Sequence, residues 1–321
     1  MSLKNKSVLV TGGAGFIGSH LVDRLIKERP SNLVVVDNFY LGKEANLHDA
    51  KCNFPTLKVI NADASNQVGM EHLVKKEVVD VIFNLAVIPL PMSLVDPCWV
   101  YRHNVDITLC VCELARKGYY KTLIHCSSSE VYGDCEYAPM DEKHPLNPTT
   151  AYSASKAATD HLVFSYCKSL GIDAAIIRPF NNYGSRQNKE NYAGVIPLTI
   201  SRILNGEAPA IYGDGEQTRD YVHVADTAEA AIKVYDCSDT RGRVINIASG
   251  QEIKIKELVR LVAEYMGCNK SSSYAKARAG DLRRLIGDIT LAKNLLGFTP
   301  TIGFNEGLKS TVAWFKKEFQ H

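Results

Sequence analysis

A tyrosine and a lysine, Tyr152 and Lys156, are four residues apart and so would lie on one face of a helix. A lysine ammonium beside a phenol, close to a cationic cofactor ring, lowers the pKa of the phenol. Tyr152 can then take a proton from a substrate hydroxyl while the adjoining carbon is oxidised. Such pairs are common and usually structural. Here the pair follows the polar stretch Ser127–Glu130, at the end of a candidate strand, where the ligand crevice of an open α/β sheet lies.

A second candidate site is the glycine-rich turn near the start of the chain. Gly12, Gly15 and Gly18 have the G-x-x-G-x-x-G spacing between a β-branched run and a helical pattern. Such glycines allow a tight turn, a close approach to a pyrophosphate and close packing of helix on strand. Asp37 follows about 20 residues on, where an acidic residue accepts hydrogen bonds from ribose hydroxyls and repels a 2′-phosphate. The turn therefore predicts an NAD site, with NAD favoured over NADP.

The elements that must position these residues alternate between strands and helices. Because this alternation builds βαβ units, we predict an α/β fold with a Rossmann-like doubly wound parallel sheet. The candidate strands are Ser7–Thr11, Leu33–Asp37, Lys58–Asn61, Val79–Asn84, Thr122–Ser127, Ala174–Arg178 and Val244–Ile247. The candidate helices are Ile17–Lys27, Gln67–Lys76, Tyr101–Lys117, Ser153–Ser169, Val195–Leu204, Ala225–Tyr235, Ile255–Tyr265, Ile289–Leu296 and Ile302–Phe319.

The second half of the chain is less regular and predicts a smaller, discontinuous α/β substrate-binding domain. We place the NAD-binding domain at 1–180 plus about 225–250, and the smaller domain at 181–224 plus 251–321. The strand Val244–Ile247 is expected to return to the main sheet.

Composition argues against several other classes of protein. The net charge is +2 without a basic stripe, so no nucleic-acid partner is expected. The nine cysteines include no CxxC pair, so we expect free thiols, no disulfide framework and no metal site. The N-terminus has no charged-then-apolar leader, and no apolar run approaches the ~18 residues that span a bilayer. We therefore expect a cytoplasmic protein without a membrane partner.

Longer motifs connect these features. They are TGGAGFIGSH (11–20), VDN (36–38), NAD (61–63), SSSEVYGD (127–134), YSASK (152–156), RPFNNYG (178–184), GDGEQTRDYVHVAD (213–226) and RAGDLRR (278–284). With these motifs, over essentially its full length, the chain resembles the extended short-chain dehydrogenases/reductases, specifically the NAD-dependent nucleotide-sugar epimerases and dehydratases. The resemblance implies that a nucleotide-diphosphate sugar is the substrate and is temporarily oxidised at a ring hydroxyl by hydride transfer to NAD.

The resemblance also implies roles for single residues. Tyr152 and Lys156 match the catalytic pair, Ser128 matches the residue that bonds the hydroxyl being oxidised, and Asp63 matches the residue that meets the adenine ring. The residues expected at the cofactor are Gly12, Gly15, Phe16, Ile17, Gly18, Asp37, Asn38, Asp63, Ala64, Leu85, Ala86, Tyr152 and Lys156. Those expected at the sugar nucleotide are Ser128, Ser129, Asn181, Arg219, Arg278 and Asp281, with the arginines on the diphosphate and Asp281 on the ribose.

Glu130 is the residue that separates the reactions of this family. Members that only epimerise at C4 usually have a small or apolar residue there, whereas in 4,6-dehydratases a glutamate removes the C5 proton before water leaves from C6 and hydride returns to C6. Dehydratases of the dTDP-glucose type carry an aspartate where this chain has Ser129. The resulting pattern resembles GDP-mannose dehydratases and the amino-sugar dehydratases of nonulosonic-acid pathways. We therefore predict a 4,6-dehydratase, with Glu130 in the catalytic set.

Other activities stay open. Residues 278–281 resemble those of 4-epimerases acting on a UDP-hexose or UDP-N-acetylhexosamine, in which case Glu130 would be a structural carboxylate bonded to local amides. A UDP-glucuronate decarboxylase is a weaker alternative. A non-catalytic NAD-binding scaffold is disfavoured, because such proteins usually lose the tyrosine or the lysine. Asn84 stands where relatives commonly have a histidine.

A homodimer is also expected, because family members often pair through two helices of each subunit. In this chain the two helices would be Tyr101–Lys117 and Ser153–Ser169. Their apolar stripes contain Val105, Leu109, Val111, Leu162, Val163 and Tyr166.

Overall fold

The computed structural model describes residues 1–189, 193–277 and 281–318. Its strands are β1 (Ser7–Thr11), β2 (Asn32–Asp37), β3 (Lys58–Asn61), β4 (Val81–Asn84), β5 (Thr122–Cys126), β6 (Asp173–Pro179), β7 (Asn181–Tyr183), β8 (Ala210–Tyr212), β9 (Thr218–His223), β10 (Val244–Ile247), β11 (Glu252–Lys254) and β12 (Ser273–Ala275). Its helices are α1 (Phe16–Lys27), α2 (His48–Asn53), α3 (Gln67–Lys76), α4 (Leu90–Ser93), α5 (Pro97–Arg116), α6 (Ala151–Leu170), α7 (Val195–Leu204), α8 (Val224–Asp236), α9 (Ile255–Met266), α10 (Thr290–Leu296) and α11 (Phe304–Glu318). Short 3-10 helices cover Glu44–Leu47, Ser129–Tyr132 and Ser238–Thr240.

The main sheet contains seven strands within the described residues, in the order β10-β6-β5-β4-β1-β2-β3, and all of its pairs are parallel. The chain begins at β1, moves to one edge, and then returns to build the other half from β4 outward. The predicted Rossmann-like sheet is therefore confirmed. The reversal between β1 and β4 is the switch point at which open sheets of this kind bind ligands.

Burial explains why these segments form strands of a covered sheet. Every residue of β1 is buried, as is nearly every residue of β2, so both faces must be packed. Apolar residues of α1 and α8 cover one face, and those of α3, α5 and α6 cover the other. The edge strand β3 is only partly covered.

A smaller lobe packs around a third apolar core. It contains the sheet β11-β9-β7 and the pair β12-β8, covered by α7, α9 and α11. β10 pairs with β6 in the main sheet, as expected. However, Leu282, Ile289 and Phe298 pack into the core of the larger lobe, although the sequence analysis placed them in the smaller domain.

Two further features of the structure concern the expected dimer interface and membrane-spanning helices. Val111 and Val163, expected on the stripes of a dimer interface, lie in the core beneath the sheet instead. Among the described residues, no helix combines the length and the apolar character needed to cross a membrane.

Candidate active site

The glycine-rich turn joins β1 to α1 at the switch point of the sheet. Gly12 has a φ of +66°, and a Cβ there would lie 2.7 Å from the backbone nitrogen of Ala86. A Cβ on Gly18 would lie 2.1 Å from the Gly12 carbonyl oxygen, so only glycine allows the helix to come this close to the turn. Gly15 is the N-cap of α1 and offers no side chain to it. The first amides of α1 are therefore available to an anionic group.

A cleft of about 390 Å³ opens beside this turn. It is lined by every residue that the sequence analysis expected at the cofactor, namely Gly12, Gly15, Phe16, Ile17, Gly18, Asp37, Asn38, Asp63, Ala64, Leu85, Ala86, Tyr152 and Lys156. The smaller lobe contributes Arg186, Gln187 and Trp314 to the lining, which the sequence analysis did not anticipate. The cleft is thus bounded by both lobes.

Asp37 supplies a negative charge to this cleft. Its carboxylate accepts hydrogen bonds from the backbone N–H groups of Ala14 and Phe39, both at 2.9 Å. The pKa of Asp37 is raised overall, because the effect of burial is larger than the lowering by these hydrogen bonds. A Cβ on Gly42 would lie 2.6 Å from one carboxylate oxygen, so Gly42 leaves room for the acid. Asp37 therefore braces the turn and presents an anion that disfavours a 2′-phosphate.

Tyr152 and Lys156 lie at the start of α6, where a capping box fixes the helix. The Thr150 hydroxyl accepts a hydrogen bond from the Ser153 N–H at 3.1 Å. The Lys156 side chain is buried, and its Nζ donates to the Cys126 carbonyl at the end of β5, at 2.7 Å. The start of α6 is therefore tied to the sheet.

Burial dominates the environment of Tyr152. Burial raises the pKa of its phenol well above the usual value, a hydrogen bond with Ser128 lowers it, and the charge of Glu130 raises it. Burial also lowers the pKa of Lys156. In the protein by itself burial outweighs the other effects on this phenol, and the expectation that Lys156 beside a cationic cofactor ring lowers its pKa stays a prediction.

Glu130 lies in the 3-10 helix that follows Ser128. Its backbone N–H donates to the Ser128 hydroxyl at 3.2 Å, while its side chain is half-buried. Burial raises the pKa of Glu130, the charge of Arg219 lowers it, and the charge of Asp281 raises it. No group in the described ranges donates a hydrogen bond to the Glu130 carboxylate. Among the described residues no local amide therefore holds this carboxylate, and its place in the catalytic set stays a prediction. Its neighbour Ser129 is buried.

The residues expected at the sugar nucleotide lie mainly in the smaller lobe. Arg219 Nη2 donates to Asp281 Oδ1, and Arg219 Nη1 donates to the Thr218 carbonyl at 2.8 Å. Gln217 Nε2 donates to the other oxygen of Asp281 at 3.2 Å. Arg219 and Asp281, expected on different parts of the substrate, therefore form an ion pair, and their binding roles stay predictions.

Two other residues of this set are less well defined by the structure. Asn181 is on β7, and its side-chain oxygen is buried without a hydrogen-bond partner in the described part of the chain. Arg278 lies outside the described residues, so its expected contact with a phosphate stays a prediction.

A buried polar chain, which the sequence analysis did not anticipate, runs across the sheet beside the cleft. Thr11 Oγ1 donates to Asn84 Oδ1 at 2.6 Å, and Asn84 Nδ2 lies 3.1 Å from His125 Nδ1. His125 Nε2 lies 3.3 Å from Thr159 Oγ1 on α6. Burial and the charge of Lys156 hold the pKa of His125 well below its usual value. Asn84 of β4 thus links β1 to β5.

Asn104 of α5 is a second residue that sequence reasoning missed. Its side-chain oxygen accepts from the Ile88 N–H at 2.8 Å, and its Nδ2 donates to the Ile88 carbonyl at 3.1 Å and to Ser155 Oγ at 3.1 Å. Residues 87–89 line the cleft. Asn104 therefore fastens this loop to α6. No motif around it in a single sequence signals this role.

The chain is similar to known proteins over most of its length. The family model described as GDP-mannose 4,6 dehydratase matches residues 9–311. The UDP-glucose 4-epimerase of Mycolicibacterium smegmatis is 35% identical over 318 residues, covering 97% of this chain and 99% of that protein. UDP-glucuronic acid decarboxylase 1 of Xenopus tropicalis is 31% identical over 322 residues, covering 98% of this chain and 73% of that protein.

A solved structure is similar over the same length. DesIV, a dTDP-glucose 4,6-dehydratase from Streptomyces venezuelae with NAD and TYD bound, superposes with a TM-score of 0.92 at 30% identity. The similarity covers 98% of each chain. The relatives thus match almost the whole of this chain but are named for three different reactions.

Proposed function

Because the chain belongs to the family described as GDP-mannose 4,6 dehydratase, within the extended short-chain dehydrogenases/reductases, we propose that it is an NAD-dependent nucleotide-sugar 4,6-dehydratase. The Glu130 carboxylate carries the proposal. It is half-buried, lies two residues after Ser128, and accepts no hydrogen bond from any described residue. A general base must be free to reach its proton, whereas a 4-epimerase needs no base at this place.

The cleft fits NAD. The glycines at positions 12 and 18 hold the turn where no side chain fits, the N-terminus of α1 is open to a pyrophosphate, and Asp37 suits ribose hydroxyls. Bound in this cleft between the glycine turn and Asp37, NAD would supply the hydride acceptor for C4 of the sugar and the hydride donor for C6.

The first steps use the residues at the end of β5 and the start of α6. Ser128 and Tyr152 hold the C4 hydroxyl, and the phenol oxygen receives its proton. Because burial raises the pKa of Tyr152, the phenol is neutral in the free protein. It can act as a base only when positive charge is present nearby, and Lys156 supplies part of that charge.

Glu130 performs the elimination. Its carboxylate takes the proton from C5, which the C4 ketone makes acidic, and the C6 hydroxyl leaves as water after gaining a proton. Ser129 cannot supply that proton as a carboxylic acid, so Glu130 passes on the proton that it took from C5. When C6 regains hydride, C5 regains a proton, which balances the proton that Tyr152 took from the C4 hydroxyl and releases. Its raised pKa suits a group that must first accept and then donate a proton.

A nucleotide-sugar 4-epimerase is the second candidate. The similarity to the UDP-glucose 4-epimerase of Mycolicibacterium smegmatis favours it. A decarboxylase has less support. Decarboxylases of this group resemble one another in an arginine near the C-terminus, and the two arginines of this chain close to that place, Arg283 and Arg284, have other partners. Arg283 pairs with Asp214 and Arg284 pairs with Glu252, at exposed positions.

The test is mass spectrometry of UDP-, GDP- and dTDP-sugars incubated with the purified protein and NAD. Loss of one water, with the alkaline absorbance of a 4-keto sugar, supports the dehydratase and identifies the nucleotide. Unchanged mass with a new retention time shows an epimerase and removes Glu130 from the catalytic set. Loss of carbon dioxide from UDP-glucuronate shows a decarboxylase.

A further inference from the structure

Three charged side chains are buried together behind the catalytic pair. Lys156 and Asp160 are one helical turn apart on α6, and each is 3% exposed. Arg178 on β6 is 2% exposed. Its Nε and Nη2 donate to the same oxygen, Asp160 Oδ2, at 3.2 and 2.7 Å. Two cations and one anion therefore share an interior from which water is excluded.

The ion pair between Asp160 and Arg178 takes up only part of the hydrogen-bonding capacity of each side chain. In the described part of the protein, Asp160 Oδ1 and Arg178 Nη1 are buried and have no hydrogen-bond partner. A bidentate pair, in which two guanidinium nitrogens bond the two carboxylate oxygens separately, would be the stronger arrangement for stability alone. The guanidinium also lies over the ring of Tyr132, 4.6 Å from its centre. The carboxylate is thus fixed in place but not saturated by the arginine.

The charged groups near Lys156 show how Asp160 affects the pKa of its ammonium. Of the titratable groups on β5 and α6, His125 responds to the charge of Lys156, and Cys126 and Asp160 act on Lys156. Cys126 and Asp160 are the two whose negative charge would raise the pKa of Lys156. Burial raises the pKa of Cys126 to about 11, so it is a neutral thiol near pH 7. Asp160 is then the anion that supports the ammonium.

We propose that Asp160 is a positioning residue that acts through Lys156: its carboxylate, fixed by Arg178, is the counter-ion that keeps the buried ammonium charged beside Tyr152. The proposal rests on the proposed function, since it assumes that Tyr152 and Lys156 carry out the proton transfer. A buried ammonium without a counter-ion tends to lose its proton. Lys156 would then no longer help Tyr152 to ionise.

The test compares a variant that removes the whole ion pair with variants that keep the charge. Asp160→Asn alone would leave a buried, unpaired arginine, which commonly destabilises the fold, whereas removing both partners is often tolerated. The double variant D160N/R178M is therefore the main probe, and Asp160→Glu is the conservative variant. Asp226→Asn is the matched control, because Asp226 is an equally buried helical aspartate that bonds Thr301 instead.

The primary readout is the 13Cε NMR titration of Lys156, assigned with Lys156→Met. We expect the midpoint of Lys156 to fall by at least about one pH unit in D160N/R178M, and to stay near the wild-type value in Asp160→Glu and Asp226→Asn. With a sugar that the enzyme turns over, kcat of D160N/R178M should fall at least about tenfold, while KM stays unchanged. A positioned acid–base group contributes ~100-fold or more, and the double variant should lose a part of that. Asp160→Glu should restore most of the rate.

A folded double variant in which Lys156 titrates as in the wild type would overturn the proposal. So would a wild-type Lys156 that titrates below pH 7, a result that requires no variant of Asp160. The NMR titration needs no sugar substrate. A protein that turns over no nucleotide sugar but shows the shifted midpoint would therefore refute the proposed function and leave the role of Asp160 supported.

Discussion

Glu130 and Glu142 both follow β5 in the chain, and burial raises the pKa values of both. They differ in their bonds. Glu142 accepts a hydrogen bond from the Asn246 N–H at 2.8 Å, whereas no described residue donates to the Glu130 carboxylate. Burial alone therefore does not identify a general base, and Glu130 is the better candidate because no described residue donates to its carboxylate.

The first prediction follows from this difference. Glu130→Gln should lower turnover at least about a hundredfold and leave NAD binding intact, because it removes a general base and no structural bond. Glu142→Gln is the control, since glutamine can still accept from the Asn246 amide, and its turnover should stay within a few-fold of wild type. Steady-state kinetics and NAD titration check both. Equal turnover in Glu130→Gln and wild type would show that Glu130 is not the base.

Single residues were predictable from the sequence where the chemistry is local. The glycine turn and Asp37 lie within one βαβ unit, so their spacing alone places them on one cleft. The family itself was recognised from such motifs, and the comparisons confirm it. The pairing of Arg219 with Asp281, and the clamp of Asn104 on Ile88, depend on contacts between distant segments. No local pattern encodes those contacts.

At the scale of elements, α1 must approach the turn so closely that Gly18 has no room for a methyl group. Gly18→Ala should therefore destabilise the fold by about 1–3 kcal/mol, as overpacking does, and abolish NAD binding. Gly303→Ala is the control, because a Cβ there meets nothing within 4 Å and its φ is not positive. Thermal unfolding and NAD titration give the two readouts. Unchanged NAD affinity in Gly18→Ala would contradict the close approach.

We expect the contact between α1 and the segment after β7 to be weakened by acid. His20 Nε2 lies 3.0 Å from the Ser185 carbonyl, and burial lowers the pKa of His20 from 6.5 to about 4. The unfolded chain takes up the proton near pH 6.5 and the folded protein only near pH 4, so the stabilisation is complete above pH 6.5 and is lost as pH falls. Between pH 7 and pH 5 the free energy of unfolding should fall by about 2 kcal/mol through this group.

Urea unfolding at both pH values checks this. His20→Gln keeps a donor for the Ser185 carbonyl but cannot titrate, so its loss of stability should be smaller by about that amount. His48→Gln, at an exposed position, should follow the wild type. If His20→Gln shows the full wild-type loss, another group is responsible.

Most long elements of the sheet were predicted to within a few residues, because buried β-branched runs and helical periodicity are strong signals. The strands of the smaller lobe, β7, β8, β9, β11 and β12, were missed. Most have three residues and sit in irregular sequence, so they show little alternation. Their pairing partners, rather than their own residues, make them strands.

At the scale of the whole molecule, exposed apolar side chains on α5 and α6 support the expected dimer. Leu109 is 38% exposed and Phe164 is 47% exposed, whereas Val105, Leu162 and Tyr166 are half-buried. Light scattering should therefore give a dimer at micromolar concentration, and Phe164→Glu should shift it towards the monomer, because a charge is costly in an apolar interface. Val68→Glu, 80% exposed on α3, is the control and should stay dimeric. A monomeric wild type would rule the dimer out.

The return of β10 to the main sheet has a consequence for how the chain is made. In the finished protein β10 pairs with β6, with Ile245 opposite Ile177, and residues 282–298 pack into the same lobe. A nascent chain that has just completed β6 therefore has an unpaired, apolar sheet edge until some 65 further residues have left the ribosome, an exposure that favours aggregation. No single cut divides the chain into its two lobes. A fragment ending at residue 180 should consequently be insoluble, although it contains the glycine turn and the catalytic pair.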